Sequence, residues 1–362
     1  MQNRTVLLIA LVLTAMGCGT DKNLQENTAE NKEGHTMQSP VAGITLRQIT
    51  ANGLSMRIAE AGDSGPVVLL AHGWPESWYS WRHQLTGLAA AGYRVIAPDM
   101  RGYGETDAPQ AVEDYDIERL AADMVGILDA LEIEQATMVG HDWGAIVAAH
   151  TALFYPERFH SLVIMSVPYR ERGDVDPLTA IRAQVGDNFF YIAYHNEPDG
   201  VAEKEYDADP HGLLSRLYLS PSSPREAPEV TDPKRAAGGW IPRLGAAKAL
   251  PDWLTADDLD YIVDQFSAAG FRGGVNYYRN LQRNWQLTGE RDDLTIRVPT
   301  LFIAGSEDVV IGGADEAALT AAMKPVVADL RGVTLVPEKG HWIQQEAPQA
   351  TNEAMLKFLK GL

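Results

Sequence analysis

The sequence predicts an α/β fold: a mostly parallel sheet with helices on both faces and an inserted helical cap. Three observations carry this. Short apolar runs of strand character alternate with helical runs as far as Pro168. The alternation stops between Pro168 and about Trp285, where aromatic residues, prolines and acids dominate. It resumes at Pro299 and continues to the C-terminus. Such alternation implies parallel pairing, because each crossover helix covers a face of the sheet.

In chain order, Thr45–Ile49 and Leu54–Ile58 alternate around Asn52-Gly53 and predict a hairpin. Val67–Leu70 is a buried strand that delivers His72-Gly73-Trp74-Pro75-Glu76. Helical spacing follows through Trp81, Leu85 and Leu88. Arg94–Ala97 is the next strand, and Ile117–Leu131 an amphipathic helix. Ala136–Val139 is a strand and Ala145–Phe154 a helix, followed by the strand Leu162–Met165. Within the insertion, Asp257–Ala269 has helical character. The strands Pro299–Ala304 and Val333–Val336 and a C-terminal helix ending at Leu362 complete the order. His72, Asp99, Asp142 and Ser166 all fall at C-terminal strand ends, where such sheets carry their active sites.

The 362 residues include 49 Asp and Glu against 30 Lys and Arg, a net charge of -19. That disfavours nucleic acid and anionic surfaces as partners. Cys18 is the single cysteine, so neither an intrachain disulfide nor a cysteine metal cluster can form.

Asp142 sits on a strand-to-helix turn within Gly140-His141-Asp142-Trp143-Gly144. This is the nucleophile-elbow pattern with Asp in place of Ser. Asp308 and His341 each follow a later predicted strand. The order Asp142, Asp308, His341 matches nucleophile, acid and base in an α/β-hydrolase. A carboxylate is ionised at neutral pH and suits direct displacement at a saturated carbon. His341 would then activate water against the resulting ester, with Asp308 orienting its ring. Epoxide opening and carbon–halogen hydrolysis both use this machinery.

The segments His72–Arg82, Asp99–Gly104, Gly140–Gly144, Gly270–Asn280 and Asn284-Trp285 resemble soluble-type epoxide hydrolases of the α/β-hydrolase fold, over residues 43–362. The resemblance implies domains at 41–168 and 288–362 for the core and 169–287 for the cap. It implies oxyanion-hole N–H groups from Trp74 and Trp143, and a cis Pro75. Tyr278, second in Asn276-Tyr277-Tyr278-Arg279, is implied as one of two phenols that hold the epoxide oxygen. Counting back from Pro198 gives Tyr191 as the other, with Tyr194 the alternative because the turn carries an extra residue. Glu76 and His141 are implied in the network of the hydrolytic water. Substrates would be a small-molecule epoxide and water, with no metal and no organic cofactor. The alternatives are a haloalkane or haloacid dehalogenase, and a non-catalytic surface protein that binds small molecules. The Asp142, Asp308, His341 set argues against the last. The sequence assigns no oligomeric state, and it assigns no role to His150, His160, His195 or His211.

Residues 1–17 read as a signal peptide: Arg4 precedes the apolar run Thr5–Thr14, and Ala15-Met16-Gly17 are followed by Cys18. The stretch resembles a bacterial lipoprotein signal, which implies lipidation of Cys18 and anchoring in the cell envelope, with Gly19 favouring the outer membrane. Ala15 stands where Leu is usual, so secretion after cleavage near Gly17 is the alternative. Residues 18–40 are polar and predict a flexible tether.

Overall fold

The computed structural model describes residues 36–362, so the predicted signal peptide, Cys18 and the tether up to residue 35 lie outside the described residues. Nine strands form one sheet: β1 Thr36–Met37, β2 Thr45–Ala51, β3 Leu54–Ala61, β4 Val67–Ala71, β5 Arg94–Pro98, β6 Ala136–His141, β7 Phe159–Met165, β8 Thr300–Gly305 and β9 Leu330–Val336. Their spatial order is β1-β2-β3-β5-β4-β6-β7-β8-β9. The first three strands pair antiparallel and β5 through β9 join in parallel ladders. The β2–β3 turn uses Asn52 at φ 48° and Gly53 at φ 77°, the double left-handed geometry that fits strand twist.

Strand β1 falls inside the expected tether 18–40: Thr36 and Met37 pair with Arg47 and Leu46 of β2. The outer edge of β2 offers free backbone groups, and Met37 packs on the core, so two residues join the sheet without any periodic signal.

The helices between strands are α1 Arg82–Ala90, α2 Ile117–Ala130 and α3 Trp143–Phe154. Helix α2 buries Ile117, Leu120, Met124, Ile127 and Leu128, spaced to share one face, and Asp116 caps its N-terminus by accepting from Arg119 N–H at 3.0 Å. Strands β4, β6, β7 and β8 are buried on both sides, which explains their unbroken apolar runs.

Between β7 and β8 the chain forms α4 Pro177–Val185, α5 Tyr191–His195, α6 Val201–Ala208, α7 Pro210–Leu217, α8 Ala256–Ala269, α9 Arg272–Arg279 and α10 Leu281–Gly289. A Thr255–Asp258 capping box starts α8. A long segment, residues 218–255, joins α7 to α8 with only short 3-10 turns. The helices α11 Glu316–Met323, α12 Ile343–Glu346 and α13 Pro348–Leu359 complete the chain, so the last helix stops three residues before Leu362.

Helix α9 is tied to the loop after β5. Tyr277 donates to Arg101 O at 3.0 Å, Asn280 to Val112 O at 2.6 Å, and Arg272 to Pro109 O at 3.0 Å. The buried Arg57 of β3 adds a second tie, bonding Asp99 at 2.5 Å and also Gln265 of α8. An unpartnered buried charge would be costly, so this three-way contact fixes the α8 end of the insertion to the sheet.

Leu69, in mid-β4, is 0% exposed. Leu69→Ala is expected to lower stability by about 3 kcal/mol, read as a fall in the urea midpoint at unchanged slope.

Candidate active site

Asp142 is held at φ 53° and ψ -119°, a strained conformation for a residue with a side chain. Crowding around it requires glycine. A Cβ on Gly144 would lie 2.0 Å from Ala71 O, and one on Gly140 would lie 2.0 Å from Gly144 O. A Cβ on Gly73 would strike the Asp142 Cβ at 2.4 Å. The turn therefore presses three backbone segments together and lifts the carboxylate above the sheet.

Trp74 N–H donates to Asp142 Oδ1 at 2.9 Å. Trp143 opens α3, so its N–H belongs to the first-turn donors that have no partner inside the helix. Both predicted oxyanion donors thus stand beside the elbow. The loop that carries Trp74 is fixed by His72: Nδ1 donates to Gly73 O at 2.9 Å and Nε2 accepts from Met100 N–H at 3.0 Å. Those partners define a neutral ring, in keeping with burial lowering its pKa. The Trp74-Pro75 peptide is cis.

His341 Nδ1 lies 3.1 Å from both oxygens of Asp308, and its Nε2 lies 3.6 Å from Asp142 Oδ2. Burial alone would push its pKa down. Asp308 and Asp142 push harder in the other direction and hold it well above the ordinary histidine value. Asp308 is itself held below the usual carboxylate range: burial raises it, but His341, helped by the Val310 N–H that donates to Oδ1 at 2.9 Å, outweighs that.

Glu76 and His141 lie behind this group, fully buried. Glu76 accepts from Gly73 N–H at 2.8 Å, from His141 Nδ1 at 2.7 Å and from Gln344 Nε2 at 2.7 Å. His141 Nε2 donates to His341 O at 2.7 Å, and Ser166 Oγ donates to the same carbonyl at 3.1 Å. His141 thus bridges the Glu76 carboxyl and the backbone of His341 through its two ring nitrogens. Burial would raise the Glu76 pKa, but His141 lowers it further, to about 2. The immediate effect of the pair is to pin the backbone of His341.

A cavity of about 330 Å³ opens above Asp142, walled by Trp74, Tyr191, Trp240, Tyr278, His341 and Trp342 among others. Tyr191 comes from α5 and Tyr278 from α9, their ring centroids 5.9 Å apart. Burial first, and the Asp142 charge second, raise both phenol pKa values well above the usual range. The phenols are therefore protonated donors at neutral pH. Tyr194 points elsewhere: its ring lies 5.2 Å from Phe189 and 6.3 Å from Tyr206, outside the cavity wall.

The structure thus brings Asp142, Asp308, His341, Trp74, Trp143, Tyr191 and Tyr278 to one place. Glu76 and His141 stand beneath the cavity rather than in its wall. Two residues beside the site received no role from the sequence. Trp240, in the irregular 218–255 segment, stacks 4.9 Å from Tyr191 and 5.6 Å from Trp74. His195 lies one helical turn after Tyr191, a spacing that could have exposed it. Its ring sits 4.4 Å from Tyr278 and 4.9 Å from Trp74, and Nε2 meets Tyr206 OH at 3.0 Å. Burial, then Arg279, lowers its pKa to about 3, so the ring is neutral. Cap helices α5 and α9 are bound to each other: Asn196 donates to Tyr278 O at 3.2 Å and Arg279 Nε to His195 O at 3.0 Å. Among the described residues no group of His, Cys, Asp and Glu is arranged to hold a metal ion.

The Glu76 pKa falls on folding from 4.5 to about 2, so its contribution to stability is present above pH 4.5 and lost as pH falls through about 2. The stability gap between wild type and Glu76→Gln is expected to be widest above pH 4.5 and to shrink toward pH 2. Urea midpoints across that range test this, and a gap independent of pH would contradict it.

Residues 66–348 match the alpha/beta hydrolase fold family. The chain is 43% identical over 324 residues to Epoxide hydrolase A of Mycobacterium tuberculosis (strain ATCC 25618 / H37Rv), covering 88% of this chain and 98% of that protein. It is 40% identical to Epoxide hydrolase 1 of Siraitia grosvenorii, covering 86% and 97% respectively. Among solved structures, Epoxide Hydrolase A from Mycobacterium thermoresistibile superposes with a TM-score of 0.80 at 45% identity, covering 88% of this chain and 99% of that one. Identity at that level, held over nearly the full length of these relatives, means that the chain belongs to the epoxide hydrolases of the alpha/beta hydrolase fold family.

Proposed function

We propose that this protein hydrolyses epoxides to vicinal diols through a covalent ester on Asp142. The observation that carries the reading is the joint placement of Asp142, Tyr191, Tyr278 and His341 around one cavity. Two protonated phenols match the alkoxide that an opening epoxide releases, and they donate to its oxygen. Asp142 attacks the neighbouring carbon; the C–O bond breaks, an ester C–O bond forms, and the alkoxide takes a proton by way of a phenol.

Ester formation removes the negative charge of Asp142. One of the two carboxylates that hold the proton on His341 is then gone, and the imidazole releases that proton more readily. The neutral ring takes a proton from water, and the hydroxide formed attacks the ester carbonyl. Trp74 N–H and Trp143 N–H stabilise the oxyanion, and Asp308 the imidazolium. The diol leaves and Asp142 regains its charge. The proton gained on opening equals the proton lost on hydrolysis, so the cycle closes as epoxide plus water.

Asp142→Ala is expected to abolish diol formation. His341→Gln should accumulate the alkyl-enzyme, seen in intact-protein mass spectrometry as a gain equal to the substrate mass. Tyr191→Phe and Tyr278→Phe should each slow alkylation by roughly tenfold or more in single-turnover assays. A folded His341→Gln protein that never gains mass rules out the covalent route, and halide release from haloalkanes without diol from epoxides favours the dehalogenase alternative.

The N-terminal pattern supports a further reading: export, and lipidation of Cys18 as a membrane anchor of the cell envelope. Cells that express the full chain are expected to incorporate labelled palmitate into it, and Cys18→Ser to remove the label. Unlabelled wild-type protein recovered from the soluble periplasmic fraction would favour simple secretion after cleavage near Gly17.

A further inference from the structure

Glu346, the last residue of α12, is a buried acid outside the reaction cycle. Its Oε1 accepts from Trp342 N–H at 3.1 Å and its Oε2 from Gly340 N–H at 3.1 Å. Those are the backbone groups on either side of His341. Trp342 is the N-cap of α12, so the first bond alone would be an ordinary helix-end contact. The Gly340 bond lies outside the helix and serves the loop instead. The peptide after His341 is thus gripped at both ends, its carbonyl by His141 and Ser166 and its N–H by Glu346. On the other side, Lys339 O accepts from Glu307 N–H at 2.9 Å, so the peptide before Gly340 is gripped in the same way. A carboxyl taken out of water costs free energy unless such donors repay it.

A third donor reaches Glu346 from the inserted region. Ser220 Oγ donates to Oε2 at 3.0 Å, and Trp253 Nε1 donates to Ser220 Oγ at 2.8 Å. Ser220 lies in the irregular segment after α7, and its neighbours Leu219 and Pro221 line the cavity above Asp142. Pro221 also rests on the loop of the base: a Cβ on Gly340 would lie 2.6 Å from Pro221 Cδ and 3.0 Å from Glu346 Oε1. Trp342 Nε1 donates to Leu217 O at 2.9 Å, and the Trp342 ring stacks 4.5 Å from Tyr218. Tyr218 OH donates to Pro75 O at 2.7 Å, next to the residue that supplies Trp74 N–H. Residues 217–221 therefore join the loop of the base to the loop of an oxyanion donor.

We propose that Glu346 is a positioning residue for His341, and that Ser220 makes this placement depend on the cap segment 217–221. The proposal rests on the covalent epoxide-hydrolase reading. In that cycle Asp142 and the two phenols carry out alkylation, and His341 acts on water only in the ester step. A small displacement of the imidazole therefore slows hydrolysis and spares alkylation. A merely structural Glu346 would affect both steps alike. Glu346→Gln offers one acceptor oxygen and turns an NH2 group toward a donor, so one of the two backbone bonds is lost.

The test uses styrene oxide and rapid-quench mass spectrometry of the intact protein. The rates at which the adduct appears and decays are measured in wild type, Glu346→Gln, Ser220→Ala and Ser220→Thr, with His341→Gln as the trapping reference. Glu346→Gln is expected to alkylate at the wild-type rate and to lose its adduct about tenfold more slowly, the worth of one good hydrogen bond. Ser220→Ala should slow adduct decay about threefold, and Ser220→Thr, which keeps the hydroxyl, should restore it. Equal slowing of both steps in a folded Glu346→Gln protein overturns the proposal, as does unchanged adduct decay. If Glu346→Gln does not fold, the serine variants decide: unchanged decay in Ser220→Ala overturns the proposal, and slow decay restored by Ser220→Thr sustains it. Failure of His341→Gln to trap an adduct means instead that the covalent reading is wrong. Hydrogen exchange at Gly340 and Trp342 then decides the link by itself. Faster exchange in Ser220→Ala keeps the coupling between cap and base loop, and unchanged exchange removes it.

Discussion

Three backbone segments cross within van der Waals distance beneath Asp142, and the active centre depends on that crossing. The β4 loop, the β6 end and the first turn of α3 approach so closely that a single methyl group at Gly73, Gly140 or Gly144 would overlap its neighbour. The compression gives Asp142 a positive φ and aims its carboxylate away from the sheet. It also brings Trp74 N–H to Oδ1 of that carboxylate. Strain of this kind costs about 1–3 kcal/mol and persists because the surrounding core over-determines it.

Behind this crossing stand two charge systems with different tasks. The Glu76–His141 pair has no exposure and holds the His341 carbonyl in place together with Ser166. The His341 ring, by contrast, faces one carboxylate that never changes charge and one that does. Its affinity for a proton therefore follows the state of Asp142. In the proposed cycle the same side chain is an imidazolium while Asp142 is free and a base once Asp142 is esterified.

Much of this was legible in the sequence. The nucleophile, acid and base each follow a strand, and chain order alone groups them. Tyr278 is named by the segment around it. The choice between Tyr191 and Tyr194 was open because an extra residue in the following turn blurs the count. A one-turn helix separates the two: α5 sends Tyr191 into the cavity and Tyr194 toward Phe189. Trp240 and His195 were not assigned to the site from the sequence. Trp240 lies where no period exists, and His195 ends a helix of a single turn. Strand β1 was missed for a different reason: two residues have no pattern at all.

The ties between α5 and α9 have a consequence for how such a protein changes over generations. Tyr191 and Tyr278 belong to one hydrogen-bonded pair of helices, while the wall facing them is partly built from the irregular 218–255 segment. Substitutions or length changes in that segment alter the room beside the oxirane and leave the phenol spacing untouched. Phenol spacing and substrate range are thus written on separable stretches of chain, and selection can revise one without unsettling the other.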